Sequence, residues 1–137
     1  MPHELERRKD RSKKQIEALK KQLQYVARKG GFKAALLATA DGELINDIES
    51  TYKSDKLSDL ANTIGQMIPN ARKKADLSEM KQITLTDDSG NTMFFRFFKA
   101  LDQPIVLVVI TSNKIDKNEL IERAVSGVKR ILNQFRE

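Results

Sequence analysis

The sequence predicts an α+β domain in which a central five-stranded antiparallel sheet is sandwiched by helices, in the order α-β-β-α-β-β-β-α. Three observations carry that prediction. Residues 105–111 read Ile-Val-Leu-Val-Val-Ile-Thr, aliphatic at every position but the last. A strand without in/out alternation is covered on both faces. Residues 92–98 put Met93, Phe95 and Phe97 on one face of a strand and Phe94, Arg96 and Phe98 on the other, which again asks for two cores. Finally, Ala40-Asp41-Gly42 and Asp87-Asp88-Ser89-Gly90-Asn91 are tight-turn sequences, which join neighbouring strands as hairpins.

The first helix is expected over 4–29, a stretch rich in Lys, Glu, Gln, Leu and Ala. Ile16, Leu19, Leu23 and Val26 form one stripe at helical spacing. Upstream of them only Leu5 is apolar, so the helix should dock through its second half. Gly30-Gly31 ends it, because glycine takes the left-handed cap conformation without cost. Residues 32–39 are the first strand, with small alanines that let a helix pack close. Residues 43–48 return as an edge strand, Leu44 and Ile48 on one face and Ile45 and Asp47 on the other.

Ser54 or Asp55 is expected to cap the second helix. Leu57, Leu60, Ile64, Met67, Ile68 and Ala71 then recur at helical spacing, and Ala61 and Gly65 widen the stripe with small residues. Pro69 would lose one N–H and press its ring on the carbonyl of Gly65. A kink is expected there, or a helix that ends near Met67 with a further turn through Lys74. Residues 80–86 alternate as a half-buried strand, 92–98 are its hairpin partner, and 99–103 turn into the central strand, which Pro104 can open without losing a ladder bond. The last helix is expected over 116–134. Asp116 and Glu119 stand at capping-box spacing. Ile121, Ala124, Val125, Val128, Ile131, Leu132 and Phe135 form its buried face, and Gly127 beside them permits a close approach.

At 137 residues the chain is expected to be one domain, or one domain with an appendage. The net charge of +6 is unevenly placed. Residues 1–31 hold ten Lys/Arg and four Asp/Glu, while residues 32–137 hold fifteen of each. The body is neutral and the excess lies on the N-terminal helix. The plain reading is a solvated helix face. The sharper one is a contact for an acidic partner through Arg7, Arg8, Lys9, Arg11, Lys13 and Lys14, or a peripheral membrane contact through residues 1–29. Nucleic acid is not the expected partner, because Tyr25 is the segment's one aromatic residue and the body is neutral. The chain has no cysteine, which removes disulfides, thiol nucleophiles and zinc-thiolate sites. With no apolar stretch behind the charged N-terminus, neither a signal peptide nor a membrane span is expected, and the expected location is the cytoplasm.

Two short patterns suggest a GTPase: Asp87-Asp88-Ser89-Gly90 matches D-x-x-G, and Asn113-Lys114-Ile115-Asp116 matches N-K-x-D. A triphosphate, however, needs a loop of backbone N–H groups with a lysine at a helix N-terminus, and Gly-Lys-Ser/Thr occurs nowhere in the chain. The patterns read as a hairpin loop and a helix cap. His3 is the sole histidine, so a transition-metal site would rest on carboxylates alone and a serine nucleophile would lack its base. No catalytic residue, cofactor or metal site is expected, and the protein is not expected to be an enzyme.

The order of elements, together with Phe-Lys-Ala-Ala-Leu-Leu-Ala-Thr-Ala-Asp-Gly-Glu-Leu-Ile at 32–45 and Glu119-Leu120-Ile121-x-x-Ala124 opening the last helix, resembles the roadblock/dynein light chain family. Profilin and longin domains share the general arrangement. The resemblance covers about residues 16–134 and divides the chain into a basic helical extension, 1–15, and a roadblock-like domain, 16–137. It implies a non-enzymatic protein that dimerises through its second helix and third strand into one continuous sheet. It also implies a partner, a small Ras-like GTPase that the dimer regulates or scaffolds, with stimulation of GTP hydrolysis one form of that regulation. The residues agree with the dimer: strand 80–86 would be an unpaired edge, and the second helix has more apolar surface than one sheet face needs. Leu60, Ile64, Met67, Ile83 and Leu85 are the expected interface. The alternatives are a structural subunit of a motor or scaffold complex, and a membrane- or nucleic-acid-contacting module using the basic helix.

Overall fold

The computed structural model describes residues 2–112 and 117–134, with side chains from Lys13 onward. Helix α1 spans Pro2–Gly30, and Gly31 follows at φ 64, the left-handed stop the glycine pair promised. Leu19, Leu23, Val26 and Ala27 are buried, but Ile16 is 45% exposed, so the docked stripe starts one turn later than expected. At that turn the helix is held instead through its backbone: Asn46 Nδ2 donates to the Ile16 carbonyl at 2.8 Å.

Strands β1 (Phe32–Thr39) and β2 (Leu44–Asp47) form the first hairpin. In its turn the Gly42 N–H donates to the Thr39 carbonyl at 2.9 Å, with Gly42 at φ 92. A Cβ on Gly42 would lie 3.0 Å from Asn62 Cβ and 3.2 Å from the Ser58 carbonyl oxygen, so glycine serves both the turn and the approach of the next helix. The simple alternation expected along 43–48 does not hold. Leu37 pairs with Asn46 and Ala38 with Leu44, which leaves Ile45 as an extra, bulged residue. One inserted residue shifts every later side chain to the other face. Ile45 and Ile48 therefore both pack on the core beneath α1, while Leu44 is 40% exposed.

Helix α2 (Ser54–Ala75) runs through Pro69 without ending near Met67. It stops at Asp76, in the left-handed conformation at φ 54, whose N–H bonds the Arg72 carbonyl. Its start also differs from expectation. Lys53 is the N-cap and makes no side-chain cap bond. Ser54 Oγ donates to Asp47 of β2 instead, tying the helix to the edge strand.

β3 (Gln82–Thr86), β4 (Thr92–Ala100) and β5 (Gln103–Thr111) complete the sheet, in the order β2-β1-β5-β4-β3 with every neighbouring pair antiparallel. The strand read from 105 is central, as its two-sided apolar pattern required. β3 begins two residues later than expected, although the Phe97 N–H still reaches the Lys81 carbonyl at 2.8 Å. β4 and β5 run closer together than expected, leaving a two-residue turn at Leu101 and Asp102. Helix α3 (Asn118–Gln134) buries Ile121, Ala124, Val125, Val128, Ile131 and Leu132, and Gly127 faces the Gln22 side chain of α1. The cap assigned to Asp116 and the burial assigned to Phe135 lie outside the described residues.

The helices are shared unequally. α1 and α3 cover one face over a core that includes Leu19, Leu23, Leu37, Leu107, Val109 and Ile121. α2 alone covers the other, over Leu36, Ala38, Ala61, Ile64, Phe95, Val106 and Val108.

Candidate interaction surface

The nucleotide-like patterns are resolved by local geometry where it is described. Asp87 is the hinge of the β3–β4 hairpin. Its Oδ1 accepts from the N–H groups of Ser89 (2.9 Å) and Asn91 (2.8 Å), and its Oδ2 from Asn91 Nδ2 at 3.0 Å. Those bonds, the Asn91 side chain first, hold its carboxyl below the ordinary range. The carboxylate is occupied in folding its own turn. The second pattern, Asn113 to Asp116, and the side chain of His3 lie outside the described residues. Among the described residues no three acidic or histidine side chains gather as a metal site needs. No helix among them is long and apolar enough to cross a membrane.

The surface that does assemble is the margin of the α2 face. One helix cannot shield five strands, and α2 packs mainly over β1, β2 and β5. Beyond it, Ile83 pairs with Phe95 and Leu85 with Met93 across the β3–β4 ladder, so these side chains share the α2 face. Ile83, Met93 and Phe97 are only half-buried there, as is Leu60 on the helix. Leu85 is 41% exposed and Met67 57% exposed. Of the five residues expected at the interface, Leu60, Ile83 and Leu85 border this apolar strip, and Met67 is exposed on α2. Ile64 lies beneath the strip, 7% exposed, in the core. Met93 and Phe97 also belong to the strip, beyond the five residues that the sequence predicts. The signal was present in their alternation, but only the two-against-one sharing of helices shows that their face is left partly open.

The strip ends on an unpaired strand edge. β3 is the last strand, and among the described residues its outer side pairs with nothing. The two edges of the sheet are built differently. β2 has four residues, a bulge at Ile45 and a side chain, Asp47, tied to α2, all of which discourage pairing. β3 has five residues in regular register, without Pro, Lys or a bulge. The edge beside the apolar strip is the one left open to a partner strand.

No protein-family model matches the chain, and no curated protein matches it. Solved structures do. Myxococcus xanthus MglB superposes with a TM-score of 0.72 at 16% identity, over 89% of this chain and 92% of that one. The gliding protein MglB of Thermus thermophilus gives 0.68 at 16% identity, over 88% and 92%. A Roadblock/LC7 domain from Streptomyces avermitilis gives 0.55 at 17%, over 75% and 84%. The chain has a roadblock-type fold. On this roadblock fold the basic extension and the body are one continuous helix, since α1 starts at Pro2. Lys13 and Lys14 are exposed on it, and the side chains of Arg7, Arg8, Lys9 and Arg11 lie outside the described residues.

Proposed function

We propose that the protein is a non-enzymatic homodimeric adaptor that regulates or scaffolds a small Ras-like GTPase. The observation that carries this reading is the open edge of β3 running beside an apolar strip on a roadblock fold. Two copies meeting edge to edge would pair the free N–H and C=O groups of β3 and cover Leu60, Met67, Ile83 and Leu85 together. Both costs of leaving that region in water fall in one step. One structural neighbour is described as MglB with a tetrameric arrangement, which supports this reading. The dimer then offers a partner GTPase a two-fold surface that acts by shape and charge. The basic half of α1 is a second contact, through Arg7, Arg8, Lys9, Arg11, Lys13 and Lys14, for an acidic surface of that partner.

Solution mass by light scattering tests the first step. The wild type is expected to be a dimer, and Ile83→Lys a folded monomer, because a lysine there places charge in the desolvated strip. A monomeric wild type would remove the basis for the reading. Binding to small GTPases of the same genome, loaded with GDP or with a GTP analogue, tests the second step. Failure of every one in both states would reject regulation of a GTPase while leaving the dimer intact. Removal of residues 1–15 should weaken GTPase binding without changing the mass.

A further inference from the structure

The face covered by α1 and α3 is also incompletely shielded. A groove of about 440 Å3 opens there between α3, β4 and the segment leading into β3. That volume lies in the range of clefts that hold ligands. Its floor is apolar, made by Phe98, Ile105 and Val125, and three exposed lysines, Lys81, Lys99 and Lys129, stand around it. Arg96 is built into the wall, its side chain 9% exposed. Its Nε donates to Gln82 Oε1 at 2.9 Å, and its Nη1 pairs with Glu122. Glu79 and Glu122 also line the groove, and since Glu122 is engaged by Arg96, the lysines outnumber the carboxylate left to balance them.

We propose that this groove binds an extended acidic peptide segment of a partner protein, with an aliphatic side chain on the floor and adjacent Asp or Glu carboxylates against the three lysines. Charge complementarity selects the occupant: an uncharged apolar ligand would leave the ammonium groups partly desolvated and unpaired. The geometry also favours peptide over nucleic acid. Bases need open aromatic faces to stack upon, and Lys129 Nζ already lies over the Phe98 ring, 5.9 Å from its centroid. The three lysines surround one concavity, whereas a phosphate backbone is followed by a stripe. The groove opens on the sheet face opposite the α2 strip, with Glu79, Met80 and Lys81 leading from it into β3, and a dimer would carry two.

The test is titration of a capped hexapeptide of alternating leucine and glutamate into the 15N-labelled full chain, followed by NMR. Saturable shift changes confined to amides around Lys81, Phe98, Lys99, Val125 and Lys129 are expected. The same peptide with glutamine for glutamate should bind at least tenfold more weakly. So should the hexapeptide on the K99E/K129E double variant, whose exposed substitutions should leave the rest of the spectrum unchanged. Absence of saturable shifts overturns the proposal. So do shifts centred on the basic half of α1, unchanged affinity in the double variant, or tighter binding of a single-stranded oligonucleotide at the same amides.

Discussion

At the scale of single residues, the β4–β5 turn stores strain that an ordinary sequence would avoid. Leu101 and Asp102 sit at φ 52 and 62. Two consecutive left-handed residues are the pattern of a type I′ hairpin, for which Asn-Gly is the favoured pair. Leucine pays for its Cβ there, about 1–2 kcal/mol. The double change Leu101→Asn with Asp102→Gly is expected to stabilise the fold by roughly 1–2 kcal/mol, read as a raised urea midpoint with unchanged slope. Glu122 gives a prediction in pH. The hydrogen bond and charge of Arg96 hold its carboxyl below the ordinary value of 4.5. A lowered folded pKa means that the pair's stabilisation is present above about pH 4.5 and is lost as pH falls through the folded value. Glu122 is 58% exposed, so solvent limits the effect to about 1 kcal/mol or less. Unfolding curves across pH 2–6 should therefore show a shallower acid limb in Glu122→Gln than in the wild type, and parallel limbs would mean the pair contributes nothing.

At the scale of elements, Pro69 is the main conflict between local and tertiary preference. Alone, it argues for a helix that stops, and α2 nevertheless continues to Ala75. The residues on either side, Ile64 in the core and Ile68 and Ala71 half-buried, keep the helix on the sheet past the lost hydrogen bond. Proline in a helix interior costs about 3 kcal/mol against alanine. Pro69→Ala is thus expected to raise the unfolding free energy by roughly 1–3 kcal/mol, checked by chemical denaturation. A loss of stability would show that the ring itself packs at the site. The β2 bulge is the other element-scale surprise. Nothing in Leu44-Ile45-Asn46-Asp47 announces it, because it satisfies two distant partners at once: Asn46 reaches the Ile16 carbonyl of α1, and Asp47 accepts from Ser54 of α2. Edge strands accept such irregularity because only one neighbour constrains them.

At the scale of the whole molecule, three helices divided two and one leave an imbalance that the proposed dimer would remove. The apolar strip beside β3 and the basic groove beside α3 lie on opposite faces of the sheet, with residues 79–81 of the groove leading directly into β3. Much of this architecture was legible in the chain. The two-sided strand at β5, the phenylalanines on both faces of β4, and the glycine at Gly42 determined a sheet with two cores and hairpin connections. They are read directly because burial on both faces abolishes alternation and because left-handed turns demand glycine. Leu60, Ile83 and Leu85 also fall on the α2 face, since helical and strand periodicity already sort side chains by face. Tertiary structure alone decided the rest. It set which face receives two helices, and so left Met93 and Phe97 half-open. It moved Ile64 into the core, protected one sheet edge and not the other, and drew Lys81, Lys99 and Lys129 around a single groove. Each depends on contacts between segments far apart in the chain, and no local pattern carries the distance between them.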